Sequence, residues 1–147
     1  MFSFQSLHNA IFLNGTNNFT FKMRGTLEQA ISWHELQKDY LTLANELKKM
    51  DLGEAPIIGI LSRTRYEWNV VDFAVQTISG ITVGLYQNDR DSIILENLKQ
   101  SKPDLLVVEN YQELKRIQNI DSDWGWNKPV IIMDAPFQSA PPIYHLS

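Results

Sequence analysis

Four short apolar runs, separated by helical stretches, limit most strongly what this chain can fold into. Each run is rich in Ile, Val or Leu and is bounded by turn residues, which is typical of a strand covered on both faces. The runs lie at residues 56–62, 81–86, 103–109 and 128–134. Their alternation with helices over residues 32–134 predicts an α/β fold with a largely parallel sheet flanked by helices and right-handed crossovers.

The helix after Ser32 is the most clearly marked. Ser32 and Glu35 have the spacing of a capping box, in which the serine hydroxyl accepts a bond from the first turn and the glutamate reaches back to the cap. Apolar side chains then recur at intervals of three and four residues: Leu36, Tyr40, Leu43, Ala44, Leu47 and Met50. We expect this face to be buried and Gly53 to end the helix.

The stretch ILSRTRYEWNVVDFAVQTISG, residues 60–80, is predicted to contain a strand end, a charged turn and a helix. In α/β proteins such junctions often bind nucleotides. We expect Ser62 or Thr64 to cap the helix and Gly80 to end it. Its buried stripe is expected to comprise Trp68, Val71, Val75 and Ile78.

Two more helices are predicted between the later strands. The segment DSIILENLKQS favours a helix with Asp91 as its cap. The segment NYQELKRIQNI favours a helix that directs Leu114 and Ile117 inward.

Both ends of the chain lie outside the alternating region. Residues 1–15 predict a short amphipathic helix and not a signal peptide, because they lack a basic start. Residues 19–25 alternate as a half-buried strand does. The last stretch combines a Pro-rich loop with the start of a further strand, which indicates a cut within something longer. We therefore expect one partial domain over residues 1–147, with a helix and strand region at 1–31, a β/α subdomain at 32–135 and a truncated end at 136–147.

Composition excludes several classes of protein. With 147 residues the chain has room for one ordinary domain. Its 13 basic and 17 acidic residues give a net charge of −4, so we expect no nucleic acid partner. The absence of cysteine excludes disulfides and fits a reducing, cytoplasmic location. No apolar run approaches the roughly 20 residues that span a bilayer, so no transmembrane segment is expected and peripheral membrane contact stays open.

The charged turn is the main candidate for a ligand site. Arg63 and Arg65 lie where a helix N-terminus offers free N–H groups, which favour an anion. The alternative, which we favour, is that Arg65 and Glu67 are surface residues of the first helical turn and that the arginine turn is a corner of the scaffold. A dinucleotide or triphosphate site would need glycines at a strand-to-helix turn, and neither this turn nor the one after Glu109 has any.

No other residues form a recognisable catalytic or metal site. His8, His34 and His145 are far apart in the sequence and lack the spacing of metal ligands, so we expect them on the surface or in loops. No Gly-x-Ser-x-Gly motif occurs. The residues therefore assign no catalytic, cofactor-binding or metal-binding side chain.

Three segments in order resemble the N-terminal part of the AMP-forming acyl-CoA synthetases: ISWHELQKDYLTLANELKKMDL, IIGILSRTRYEWNVVDFAVQTISGITVGLYQN and SIILENLKQSKPDLLVVENYQELKRI. The chain is most similar to the long-chain fatty acid–CoA ligases, in which SRTRYEW matches a recurrent stretch. Leu85 and Tyr86 stand where that family has an aliphatic residue and tyrosine, followed by proline or threonine. Gln87 departs from this pattern. The resemblance covers residues 19–135.

The resemblance implies a parent reaction in two steps. A fatty acid carboxylate attacks the α-phosphate of ATP to give an acyl-adenylate, and the CoA thiol then displaces AMP. ATP, Mg²⁺ and CoA are the cofactors of that parent reaction. The family's phosphate loop, adenine segment, ribose-binding acid and C-terminal lid have no match in this chain, so the resemblance carries no catalytic role or cofactor onto its residues.

We therefore expect an N-terminal fragment of a long-chain fatty acid–CoA ligase that is not catalytic alone. Its partner is expected to be the missing remainder of the synthetase or a second copy of the chain, the latter through an unpaired strand edge near Val130 and Met133. One alternative is a free-standing, non-catalytic interaction module of the same fold. Another is a small α/β nucleotide-binding protein that uses Arg63 and Arg65.

Overall fold

The structure is a computed structural model that describes residues 18–24, 27–121, 128–134 and 143–145. The predicted N-terminal helix and Pro-rich loop lie outside these residues. The strands are β1 (Asn18–Arg24), β2 (Leu27–Ser32), β3 (Ile57–Leu61), β4 (Ile81–Leu85), β5 (Leu105–Val108), β6 (Val130–Ile132) and β7 (Ile143–His145). The helices are α1 (Trp33–Lys49), α2 (Tyr66–Thr77), α3 (Asp91–Ser101) and α4 (Tyr111–Ile120).

These elements group into two compact units. The hairpin unit contains β1, β2, α1 and α2, whereas the sheet unit contains β3 to β7 with α3 and α4. The boundaries expected from the sequence, at residues 31 and 135, stay a prediction.

In the hairpin unit, β1 and β2 form an antiparallel pair. The sequence predicted β1 but not β2, whose residues LEQAIS lack the alternation of a typical strand.

Helices α1 and α2 contact each other through two pairs of side chains. The rings of Tyr40 and Phe73 stack with centroids 5.5 Å apart, and the Tyr66 hydroxyl donates to Asp39 Oδ2 over 2.9 Å. Burial, followed by the nearby Asp39 carboxylate, raises the pKa of Tyr66 well above its ordinary value.

Helix α1 begins with the capping box that the sequence predicted. The Glu35 amide donates to Ser32 Oγ over 3.2 Å, and the Ser32 amide donates to Glu35 Oε2 over 2.7 Å. The predicted apolar face is buried apart from Met50, which lies at the C-cap and is partly exposed. The helix ends there, before Gly53, so the glycine is not its stop.

Helix α2 differs from prediction at both ends and on its buried face. Its N-cap is Arg65, and no side chain caps it, so the prediction of Ser62 or Thr64 was wrong. The left-handed residue after the helix is Ser79, at φ 59°, and not Gly80. Trp68 and Ile78 are partly exposed, whereas the buried residues are Tyr66, Val70, Val71, Ala74 and Val75.

In the sheet unit, five parallel strands have the order β4-β3-β5-β6-β7. This confirms the largely parallel sheet. One face packs against α3 and α4 through a cluster of apolar side chains: Leu61, Leu85, Ile94, Leu98, Leu106, Val108, Leu114, Ile117, Val130 and Ile132. The inward positions predicted for Leu114 and Ile117 are thus confirmed.

The expected unpaired edge near Val130 and Met133 was wrong. Strand β6 is paired on both sides, by β5 and by β7, and residues from Val130 to Met133 are buried. The edges of the described sheet are β4 and β7 instead. The predicted cap of α3 also differs, because Arg90 is the N-cap and Asp91 is the first helical residue.

Candidate functional site

The strand order creates a switch point between β3 and β5. From β3 the chain places β4 on one side, and β5 then pairs on the other side of β3. In open α/β sheets, ligands bind outside the carboxyl ends of the strands at such a point. The residues that follow β3 and β5 are Ser62, Arg63 and Glu109.

Glu109 is the centre of this region, and its side chain is buried. Its Oε2 accepts from the Arg63 amide over 3.0 Å and from Gln87 Nε2 over 3.1 Å, and the Ser62 hydroxyl lies 3.3 Å away. Its Oε1 lies 2.8 Å from Arg63 Nε. An ionised carboxylate can stay buried when several donors and a cation surround it in this way.

Backbone pairing fixes Glu109 in this position. Leu61 and Val108 are partners in the β3–β5 register. The Glu109 amide donates to the Leu61 carbonyl over 3.0 Å, and the Glu109 carbonyl accepts from the Asp134 amide over 2.9 Å. The ladder therefore continues one residue past β5 and holds the carboxylate at the carboxyl edge of the sheet.

Arg116 of α4 holds the loop between β4 and α3. Its Nη1 donates to the Gln87 carbonyl and its Nη2 to the Asp89 carbonyl, each over 2.7 Å, and its Nε lies 2.8 Å from Asp91 Oδ1. Burial alone would lower the pKa of Arg116, but Asp91 and Glu113 raise it above its ordinary value. Gln87 thus contacts both Arg116 and Glu109. Its backbone carbonyl accepts from Arg116, and its side-chain amide donates to Glu109.

Arg65 belongs to a different ion pair from Arg63. Its Nε lies 2.6 Å from Glu67 Oε2, and its carbonyl accepts from Asn69 Nδ2 over 3.3 Å. The two arginines of the charged turn therefore bind separate carboxylates, Glu67 and Glu109. Sequence reasoning noticed the arginines but missed Glu109, Gln87 and Arg116. The one available signal was Gln87, which departs from the family pattern.

The remaining sequence candidates form no site among the described residues. His34 is exposed on α1, His145 is in β7, and His8 lies outside the described residues. In the part of the chain that the structure describes, no group of three or more His, Cys, Asp or Glu residues could hold a metal ion. Nor is any helix within those ranges long and apolar enough to cross a membrane.

Comparison with known proteins gives consistent matches. The model of the AMP-binding enzyme family matches residues 14–144. The long-chain-fatty-acid–CoA ligase ACSBG2 of Rattus norvegicus is 31% identical over 80 residues, which is 54% of this chain and 12% of that protein. This chain thus spans only a small share of the curated relative's length.

Solved structures share the fold at low sequence identity. The luciferase-like enzyme from the nonluminescent mealworm Zophobas morio superimposes with a TM-score of 0.77 at 14% identity, over 98% of this chain and 32% of that one. The anthranilate CoA ligase AuaEII, solved with anthranoyl-AMP, gives 0.74 at 15% identity, over 88% and 24%. Because the family model also matches most of its residues, this chain belongs to the AMP-binding enzyme family.

Proposed function

We propose that this chain forms a structural, non-catalytic part of a long-chain fatty acid–CoA ligase. The parent reaction converts a fatty acid, ATP and CoA into acyl-CoA, AMP and pyrophosphate. Support comes from the family match, from the similarity to the rat ligase and from the resemblance of the SRTRYEW stretch to that group of enzymes.

The buried carboxylate of Glu109 is the observation that carries this proposal. A phosphate at the switch point would need free N–H donors and a positive potential. Here the Arg63 amide already donates to Glu109, and the carboxylate places negative charge where the phosphate would lie. The polar groups of the corner bind one another, as expected of a support for the sheet.

We propose that the cofactors of the parent reaction bind to the remainder of the ligase and not to this chain. Adenylyl transfer requires cations and N–H donors clustered around the phosphates. This chain has no Gly-rich phosphate loop to supply them. We propose that the remainder of the synthetase is the partner that holds ATP, Mg²⁺ and CoA, in the cytoplasm, and that this chain supports that partner.

A pyrophosphate-release assay tests the proposal. The purified chain, shown to be folded by circular dichroism, is incubated with ATP, Mg²⁺ and palmitate beside a boiled sample. We expect no release above the boiled sample. Release that depends on palmitate would overturn the proposal, because the chain would then form an acyl-adenylate by itself.

The two alternatives make different predictions. A small nucleotide-binding protein would need Arg63 and Arg65 to be available to phosphate, and both are paired with carboxylates. If the chain is a free-standing interaction module, the coding sequence next to it should not encode a phosphate loop. A continuation that encodes this loop would favour the ligase over the module.

A further inference from the structure

The loop that follows β4 reaches across the switch point. Strand β3 lies between β4 and β5 in the sheet. Gln87 follows β4 and Glu109 follows β5, so their contact over 3.1 Å passes across the carboxyl end of β3. Ser62, the residue after β3, is only 5% exposed there. We propose that residues 86–90 form a strap that closes the switch point, and that Arg116 and Glu109 fix this strap cooperatively through Gln87.

The strap has little hydrogen bonding of its own. Within residues 86–90, all of which the structure describes, the one backbone hydrogen bond runs from the Asp89 amide to the Tyr86 carbonyl over 3.0 Å. Three of its side chains are exposed: Tyr86, Asn88 and Arg90. Because ordering the backbone of each residue costs entropy, a single hydrogen bond cannot order five residues. The strap therefore depends on contacts with the rest of the sheet unit.

Arg116 binds the backbone of the strap. Its guanidinium donates to the Gln87 and Asp89 carbonyls over 2.7 Å each. Its Nε also lies 2.8 Å from Oδ1 of Asp91, the residue at which α3 begins. Arginine can make these contacts together because its planar group carries five donors in a fixed geometry, which an ammonium group lacks. One side chain of α4 thus fixes both the strap and its junction with α3.

Glu109 binds the side chain of the same residue, Gln87. Its Oε2 accepts from Gln87 Nε2 and from the Arg63 amide. When Arg116 fixes the Gln87 backbone, the Gln87 side chain loses less entropy on reaching Glu109, and the reverse also holds. Contacts that share a residue in this way have non-additive effects on stability. The strap should therefore open as one unit, and its opening would expose the Arg63 amide to solvent.

This inference rests on the structural role proposed above and explains how the corner excludes ligands. In open α/β sheets, ligands reach the switch point from outside the carboxyl ends of the strands. With the strap closed, the Gln87 side chain spans this position. A ligand would have to displace Gln87 before it reached the Arg63 amide.

Hydrogen exchange of the full chain tests the strap through amides that the substituted side chain does not bind. In Arg116→Gln, the Arg63 amide should exchange about tenfold faster or more, although no hydrogen bond or ion pair joins these two residues in the described part of the chain. In Gln87→Ala, the Asp89 amide should exchange faster by a similar factor, although the lost side chain donated to Glu109. Each rate is compared with that of the Val107 amide inside β5, which reports global unfolding.

Further variants separate a cooperative strap from independent contacts. Asn88→Ala is the matched control for Gln87→Ala, because it removes an exposed amide side chain from the same strap. Arg116→Lys keeps the charge but lacks the planar group, so it should accelerate exchange less than Arg116→Gln does. The double variant of Arg116→Gln and Gln87→Ala should exchange no faster than the faster single variant, because either loss already opens the strap.

Independent effects would overturn the strap. The proposal fails if Arg116→Gln leaves the exchange of the Arg63 amide unchanged, or if the double variant multiplies the two single effects. It also fails if Asn88→Ala has the same effect as Gln87→Ala. These results would leave the proposed function standing, because palmitate-dependent release of pyrophosphate is what would overturn that function.

Discussion

The Nε atom of Arg63 lies 2.8 Å from Oε1 of Glu109, although 72% of the arginine side chain is exposed and only 4% of the glutamate side chain is. The exposed side chain of Arg63 thus contacts the buried carboxylate of Glu109. Exposed ion pairs contribute little by themselves. The stability of the corner must therefore come mainly from the neutral donors that surround the carboxylate, the Arg63 amide and the Gln87 side chain.

Replacement of Glu109 should destabilise the chain strongly. In Glu109→Ala, the Arg63 amide and the Gln87 side chain lose their acceptor inside the protein, so we expect the free energy of unfolding to fall by about 2–4 kcal/mol. Urea unfolding followed by circular dichroism measures this change. The control is Glu96→Ala, because Glu96 is exposed and accepts a hydrogen bond from the exposed Gln100 side chain. Equal unfolding midpoints for the two variants would contradict the role given to Glu109.

Replacement of Arg116 should loosen the loop between β4 and α3. Arg116→Gln removes the donors to the Gln87 and Asp89 carbonyls, and we expect a loss of about 1–3 kcal/mol. The backbone amides of residues 86–90 should exchange faster with solvent. Lys115→Gln, on the exposed side of the same helix, should leave both quantities unchanged. Unaltered exchange in Arg116→Gln would show that the loop is held by other contacts.

A glycine at residue 102 should stabilise the chain. Lys102 caps α3 in the left-handed conformation, with φ 48° and ψ 59°, which glycine adopts without steric cost. We expect Lys102→Gly to raise the free energy of unfolding by about 0.5–1 kcal/mol. Gln100→Gly, inside the helix, should lower it by about 1 kcal/mol. The prediction fails if both substitutions shift the midpoint in the same direction.

The capping box of α1 should make stability depend on pH. Hydrogen bonds from the Ser32 backbone and side chain lower the pKa of Glu35 below its ordinary value of 4.5. A lowered pKa in the folded state adds stability above pH 4.5, and this is lost as the pH falls through the folded pKa. The difference in unfolding midpoint between the wild type and Glu35→Gln should therefore shrink from pH 7 to pH 3. Glu54→Gln controls for the general loss of one charge. A difference that stays constant with pH would exclude the ionised cap.

Local sequence patterns predicted most of the helices and strands, because the residues that mark each of these elements lie close together in the sequence. Ser32 and Glu35 are three residues apart, and the buried face of α1 repeats with the helical period. Strand β2 escaped prediction because LEQAIS becomes a strand by pairing with β1. Trp68 fits an apolar stripe in the sequence, but the period alone cannot fix where the stripe is centred on the helix.

The corner could not be predicted, because its parts are far apart in the sequence. Glu109 lies 46 residues after Arg63 and 22 after Gln87. Their contact requires β5 to pair with β3 on the side opposite β4, and no local pattern gives that strand order. The same limit explains the error at Val130, since β6 becomes an inner strand only once β7 is added.

Titration of the chain with ATP and Mg²⁺, followed by the backbone amide resonances of residues 62–66, tests most directly whether the charged corner is structural. We expect no saturable shift at these amides in the wild type up to millimolar nucleotide, in a sample whose dispersed spectrum shows that it is folded. AMP should give the same result. A saturable shift centred on Arg63 that is lost in Arg63→Gln would contradict the structural role and establish a phosphate site at the switch point.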